Sequence, residues 1–111
     1  MTESRSHYRA KRKAAGRYGK TEARLKGGRR LDALSRGGKR ATEVERSGSS
    51  RRLEQAARRL RASGARQKVL QVPQKDMPAA TRAMRSTGTT GTVKNMSSTK
   101  RQRVRNPSKR R

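Results

Sequence analysis

The 111-residue sequence sets 33 Lys and Arg against seven Asp and Glu, a formal charge of +26, and only 27% of it is hydrophobic. A field of that sign draws polyanions, nucleic acid first among them, and opposes compaction; so low an apolar content suits a chain that orders on its partner, unless local periodicity builds a core. With no Cys, one His, no Trp or Phe and no apolar run near ~20 residues, the chain excludes disulfides and thiolate metal sites, gives no pattern for zinc or Ser-His-Asp chemistry, and argues against membrane-lying or membrane-spanning segments.

Residues 1–20 read as a basic N-terminal arm without a signal-like apolar segment, in which residues 9–15 are poised to turn helical once phosphates neutralise them. Residues 21–25, 29–34 and 40–46 are three short strand candidates, parted by Gly27-Gly28 and Gly37-Gly38. Gly-Gly between short segments signals a hairpin, because glycine accepts the positive φ of the primed turns. The resulting meander has an inward face of Leu25, Leu31, Ala33 and Val44.

Ser49 or Ser50 then caps a helix in which Leu53, Ala56, Ala57 and Leu60 recur at i, i+3, i+4 and i+7, with Gly64 as its stop. Its other side carries Arg51, Arg52, Arg58, Arg59 and Arg61. Residues 68–72 form a strand ended by Pro73. Asp76 caps a second helix with Pro78 in its first turn, burying Met77, Ala80 and Met84 and closed by Gly88. Gly88-Thr89-Thr90-Gly91 is either a phosphate-cradling loop or a plain turn. Residues 90–94 make a last strand, and residues 97–111 a basic C-terminal tail. The predicted fold is a small single α/β domain over residues 21–96, a three-stranded meander followed by α-β-α-β, with disordered basic N- and C-terminal arms.

Four of the seven acids, Glu22, Asp32, Glu43 and Glu45, fall on the meander. Glu43 and Glu45 share one strand face, since side chains alternate, and a hairpin about Gly37-Gly38 brings that face near Asp32. Two readings follow. Converging carboxylates hold Mg²⁺, which activates water at a phosphodiester; or each acid pairs with an arginine and relieves the self-repulsion of the meander.

An acid on the second strand, a turn, then Glu-x-basic on the third with a helix following resembles the core of the PD-(D/E)XK nuclease superfamily, over residues 8–72. That family's α-β-β-β-α-β core lies along the basic N-terminal segment, the meander, the Leu53 helix and the Val69 strand in order. The resemblance implies Asp32, Glu43 and Glu45 as catalytic positions, Asp32 and Glu43 as metal ligands, and Mg²⁺-dependent cleavage, or a binding domain that keeps the fold without catalysis. Glu45 stands where the family has lysine, and Glu22 is a stand-in for an acid that some members supply from the first helix.

The primary expectation is a nucleic-acid-binding protein that grips phosphates. The residues assigned to the grip are Arg51, Arg52, Arg58 and Arg59 on the helix, and Lys11, Arg12, Lys13, Lys100, Arg101, Arg103, Lys109 and Arg110 on the arms. No membrane and no small-molecule cofactor is expected, and an intracellular, nucleic-acid-associated location follows. A metal-dependent endonuclease and a structural component of a ribonucleoprotein are the alternatives.

Overall fold

Nine regular elements and one short 3₁₀ turn follow one another in a computed structural model that describes residues 5–16, 20–24, 30–35 and 39–106, with side chains for residues 7–16, 33–35 and 39–106. Helix α1 (Arg5–Ala15) precedes strands β1 (Lys20–Arg24), β2 (Arg30–Leu34) and β3 (Arg40–Val44). Then come α2 (Ser50–Ser63), β4 (Gln67–Gln71), a 3₁₀ turn (Gln74–Asp76), α3 (Met77–Ser86), β5 (Gly91–Lys94) and β6 (Arg101–Val104). The strands form one sheet in chain order, β1-β2-β3-β4-β5-β6. β1, β2 and β3 pair antiparallel; β3, β4 and β5 pair parallel through the crossover helices α2 and α3; β6 turns back antiparallel on β5.

The amphipathic pattern decides how the helices sit. Leu53, Ala56, Ala57 and Leu60 of α2 are buried, as the spacing requires, with Ala80, Ala83 and Met84 of α3. They close on Ala41, Leu70, Val72, Val93 and Val104 from one face of the sheet. The expected cap is Ser49, whose hydroxyl accepts the Arg52 N–H, and Gly64 ends α2 in the left-handed region at φ 69°.

The other sheet face is treated differently. α1 packs there on β1, β2 and β3, above buried Ala33, Thr42 and Val44. It leaves the β4–β6 half of that face as the floor of a cleft. The molecule is thus three layers on one side and two on the other, a small α/β domain of the expected class.

The fold reaches beyond residues 21–96 at both ends. The expected N-terminal arm supplies α1, because Ala, Lys and Arg are strong helix formers and because Lys11 and Ala15, one turn apart, are both buried. Lys11, only 4% exposed, is buried whole, a burial that hydrophobicity alone does not signal. The expected C-terminal tail supplies β6, which pairs with β5 at Gly91–Val104, Thr92–Arg103, Val93–Gln102 and Lys94–Arg101. The Gly27-Gly28 and Gly37-Gly38 turns, the Leu25 and Leu31 side chains, and Lys109 and Arg110 lie outside the described residues.

Candidate nucleic-acid interface

Sheet register builds the cleft floor. Gln71 stands beside Lys94 and Lys94 beside Arg101, while Val69, Thr92 and Arg103 make the next row. Neighbours across strands share a face, so these side chains project from the half that α1 leaves open. Arg9 and Lys13, one helical turn apart on α1, overhang it from one side. The cleft between them measures about 420 Å³, with Arg40, Lys94 and Arg101 among its walls and, among the described residues, no acidic side chain. A smaller recess of about 200 Å³ continues past Arg40, Lys94 and Arg101 to Arg103.

The hairpin that carries Arg101 is held in place. Asn95 Oδ1 accepts the N–H groups of Thr99 at 2.9 Å and Lys100 at 3.1 Å, and Asn95 Nδ2 donates to Thr99 Oγ1 and to Gln74 Oε1. Gln71 Nε2 donates to the carbonyls of Asn95 and Met96. Ser98 takes the left-handed turn position at φ 63°. Arg40 is aimed by its Nε, which donates to Gln67 Oε1 at 3.1 Å.

Lys94 is the electrostatic centre. Burial pushes its ammonium below the ordinary lysine pKa, and the nearby charges of Arg101, Arg40 and Lys13 push it further the same way. Four cations from α1, β3, β5 and β6 thus converge without an acid among the residues that line the cleft. An anion entering there meets fixed donors and relieves their mutual repulsion.

The residues expected to grip phosphate divide into three sets. Lys13, Arg101 and Arg103 line the cleft or its extension. Arg51, Arg52 and Arg58 are exposed on the outer side of α2, away from the cleft, and Lys100 is exposed at the start of the β6 hairpin arm. Lys11 is only 4% exposed, and so is not a free surface cation. Arg12 is half-buried and donates to the Gly16 carbonyl. Arg59 is committed to Glu43, as described below. Sequence reading did not single out Arg9, Arg40 and Lys94; Arg40 and Lys94 are each the one base on their strands, Arg9 is one of five on α1, and only the register of four strands and one helix brings them together.

The acids are placed as follows. β2 and β3 pair at Ala33–Thr42 and Leu34–Ala41, and one further step of that register sets Asp32 across from Glu43. The side chains of Asp32 and Glu22 lie outside the described residues. Glu43 is 1% exposed on the α2 side of the sheet. Arg59 Nε donates to Glu43 Oε1 at 2.8 Å, and Arg59 Nη2 stands 2.7 Å from the same oxygen. Glu45 Oε2 accepts the Ser47 N–H. Among the described residues no group of three or more metal-ligating side chains occurs. Arginine pairing is thus realised at Glu43.

Gly88-Thr89-Thr90-Gly91 is a structural joint rather than a cradle. Gly88 has φ 72°, the Thr89 N–H donates to the Met84 carbonyl, and the buried Thr89 hydroxyl donates to the Ala57 carbonyl of α2. A Cβ on Gly91 would collide with the Lys68 carbonyl of β4. Tyr8 is 54% exposed; Tyr18 lies outside the described residues.

No helix among the described residues is long and apolar enough to cross a membrane. No protein-family model, curated protein or solved structure matches this chain.

Proposed function

We propose that this chain binds nucleic acid through its phosphate backbone, in the cleft between α1 and the open half of the sheet. The observation that carries the reading is Lys94, half-buried among Arg101, Arg40 and Lys13 in a cleft whose described lining residues include no acid. A charge withdrawn from water needs a counter-charge, and a polyanion supplies one. The exposed arginines of α2 add long-range attraction. Sequence readout has little support: the cleft walls are rich in phosphate-binding cations, with Gln71 already engaged by the hairpin carbonyls.

The test is a salt titration of binding to mixed-sequence DNA and RNA. Counterion release predicts log Kd changing with log salt at ~0.9 per phosphate contacted on duplex and ~0.7 on single strands. Replacing Arg40 by Gln together with Lys94 by Met is expected to weaken binding at least tenfold. Replacing Arg51 and Arg52 by Gln is expected to change it far less. The cleft assignment fails if the α2 pair carries the affinity and the cleft pair does not.

A second reading, Mg²⁺-dependent phosphodiester cleavage, is favoured by one observation, the β2–β3 register that sets Asp32 and Glu43 on adjacent strands behind α1. The Arg59 pairing of Glu43 weighs against it. Plasmid nicking in Mg²⁺ or Mn²⁺ decides: cleavage must appear, and must vanish in Asp32→Ala and Glu43→Ala, for this reading to stand.

A further inference from the structure

Strand alternation gives β6 two differently basic sides. Arg101 and Arg103 face the cleft half of the sheet with Lys94, whereas Lys100 and Gln102 face the α3 side. On that second side a groove of about 590 Å³ runs between α3 and the β6 hairpin, with Arg82, Arg85, Lys100 and Arg101 on its walls and no acid among the described residues. Arg82 and Arg85 lie three residues apart, so they share the exposed face of α3. Arg101 borders this groove, the cleft and the recess that extends the cleft. The three concavities are therefore one basic band bent round the edge strand of the sheet.

We infer that a single-stranded nucleic acid follows this band, from the cleft beside Lys94, over Arg101, to Arg82 and Arg85 on α3. The inference rests on the reading of the cleft as a phosphate-binding surface, and adds a second subsite and a preference of strand type. Flexibility decides the occupant. The two ends of the band lie on opposite sides of the sheet, so a polyanion that fills both must reverse its direction within the thickness of a strand layer and a helix. Duplex DNA has a persistence length of ~50 nm, and bending a whole 20–30 bp site by 40–90° already costs on the order of 1–6 kcal/mol. A single strand turns that corner freely. Nor does the edge fit a duplex groove: the major groove is ~12 Å wide and admits one α-helix or one two-stranded ribbon, whereas here α3, itself about 10 Å across, packs against β6, and the two together are wider than the groove.

The experiment is fluorescence anisotropy with labelled oligo(dT) and with a duplex of the same length, titrated over a range of salt. Wild type, the double variant Arg82→Gln/Arg85→Gln and Lys94→Met are compared, with melting curves confirming that each is folded. The expected result is that the α3 double variant lowers the oligo(dT) salt slope by about 1.4, two contacts at ~0.7 each, and leaves the duplex slope unchanged. Lys94→Met weakens both ligands. Oligo(dT) binding that ignores Arg82 and Arg85 while responding to Lys94 overturns the band and spares the cleft. An equal loss of slope for duplex overturns the single-strand assignment. Binding unaffected by either variant overturns the cleft reading as well.

Discussion

The two faces of the sheet handle buried charge in opposite ways. On the face covered by α2 and α3, Glu43 is 1% exposed and its carboxylate is met by Arg59 at 2.7 Å. On the half-open face, Lys94 is drawn partly out of water and surrounded by three more cations. Both arrangements come from one short sheet in which bases vastly outnumber acids. A buried charge left without a counter-charge costs several kcal/mol, so proteins pair such groups or leave them toward solvent and ligand. The covered face solves the problem internally, and the half-open face crowds cations together. That contrast, more than the total charge, is the support for the proposed binding surface.

The largest test of the contrast removes the internal solution. Arg59→Met removes the guanidinium that pairs with a carboxylate buried on the covered face. Breaking one side of a buried pair costs ~3–5 kcal/mol, and the lower end applies because Arg59 is itself 30% exposed. The double replacement Glu43→Leu/Arg59→Met is expected to recover most of that loss, since apolar substitutes of similar volume replace buried pairs at little net cost. Urea unfolding of the two variants checks both statements. A loss under ~1 kcal/mol for Arg59→Met would mean that the covered face does not depend on the pair.

The next test reverses the sign. Lys94→Met is expected to raise the melting temperature while weakening nucleic-acid binding, because it removes a cation that the fold crowds. The pH dependence has a definite direction. The folded pKa of Lys94 is depressed, so between that value and the unfolded value near 10.5 the unfolded state binds more protons. Stability from this group therefore rises as pH climbs through that window, and the penalty is fully present below it. Comparing wild-type and Lys94→Met melting temperatures from neutral pH to about 10.5 isolates the effect; the gap between them should narrow as pH rises. Added oligonucleotide should narrow it at neutral pH too, by supplying the missing negative charge.

Legibility in the sequence followed the same division. The covered face was readable: the spacing of Leu53, Ala56, Ala57 and Leu60, the Ser49 cap and the Gly64 stop all describe a helix with one buried side. Strand positions in the meander and at residues 67–71 were also readable, from short segments bounded by glycine and proline. The half-open face was not. α1 buries Lys11 with Ala15, and a lysine is invisible to any apolar periodicity. β6 has one buried residue, Val104, and owes its place to the Asn95 bonds that shape the turn before it. Lys94 looks like any other base until the β4–β5–β6 register sets it between Gln71 and Arg101. The α2 arginines stand out in the sequence because they cluster on the one helix whose apolar period is plain. Local density marks attraction, whereas convergence across strands marks a site, and only the first is written locally.

The smallest test asks whether depth, rather than charge, is what separates the two faces. Glu54 and Arg58 form the same kind of pair as Glu43 and Arg59, but at the surface, one helical turn apart and 3.8 Å from each other, with side chains 38% and 58% exposed. Pairs of this sort contribute about 0.3–0.5 kcal/mol. Glu54→Gln also removes one acid from a strongly positive chain, so its cost should be largest at low salt and fade once the Debye length falls to ~3 Å near 1 M. The Arg59→Met loss has no such escape, because the Glu43 carboxylate, 1% exposed, is beyond the reach of mobile ions. Urea unfolding of Glu54→Gln and Arg59→Met at low and high salt sets the two pairs side by side. Equal salt sensitivity would mean that Glu43 is screened like a surface group, and the distinction between an internally neutralised face and a ligand-neutralised one would lose its physical basis.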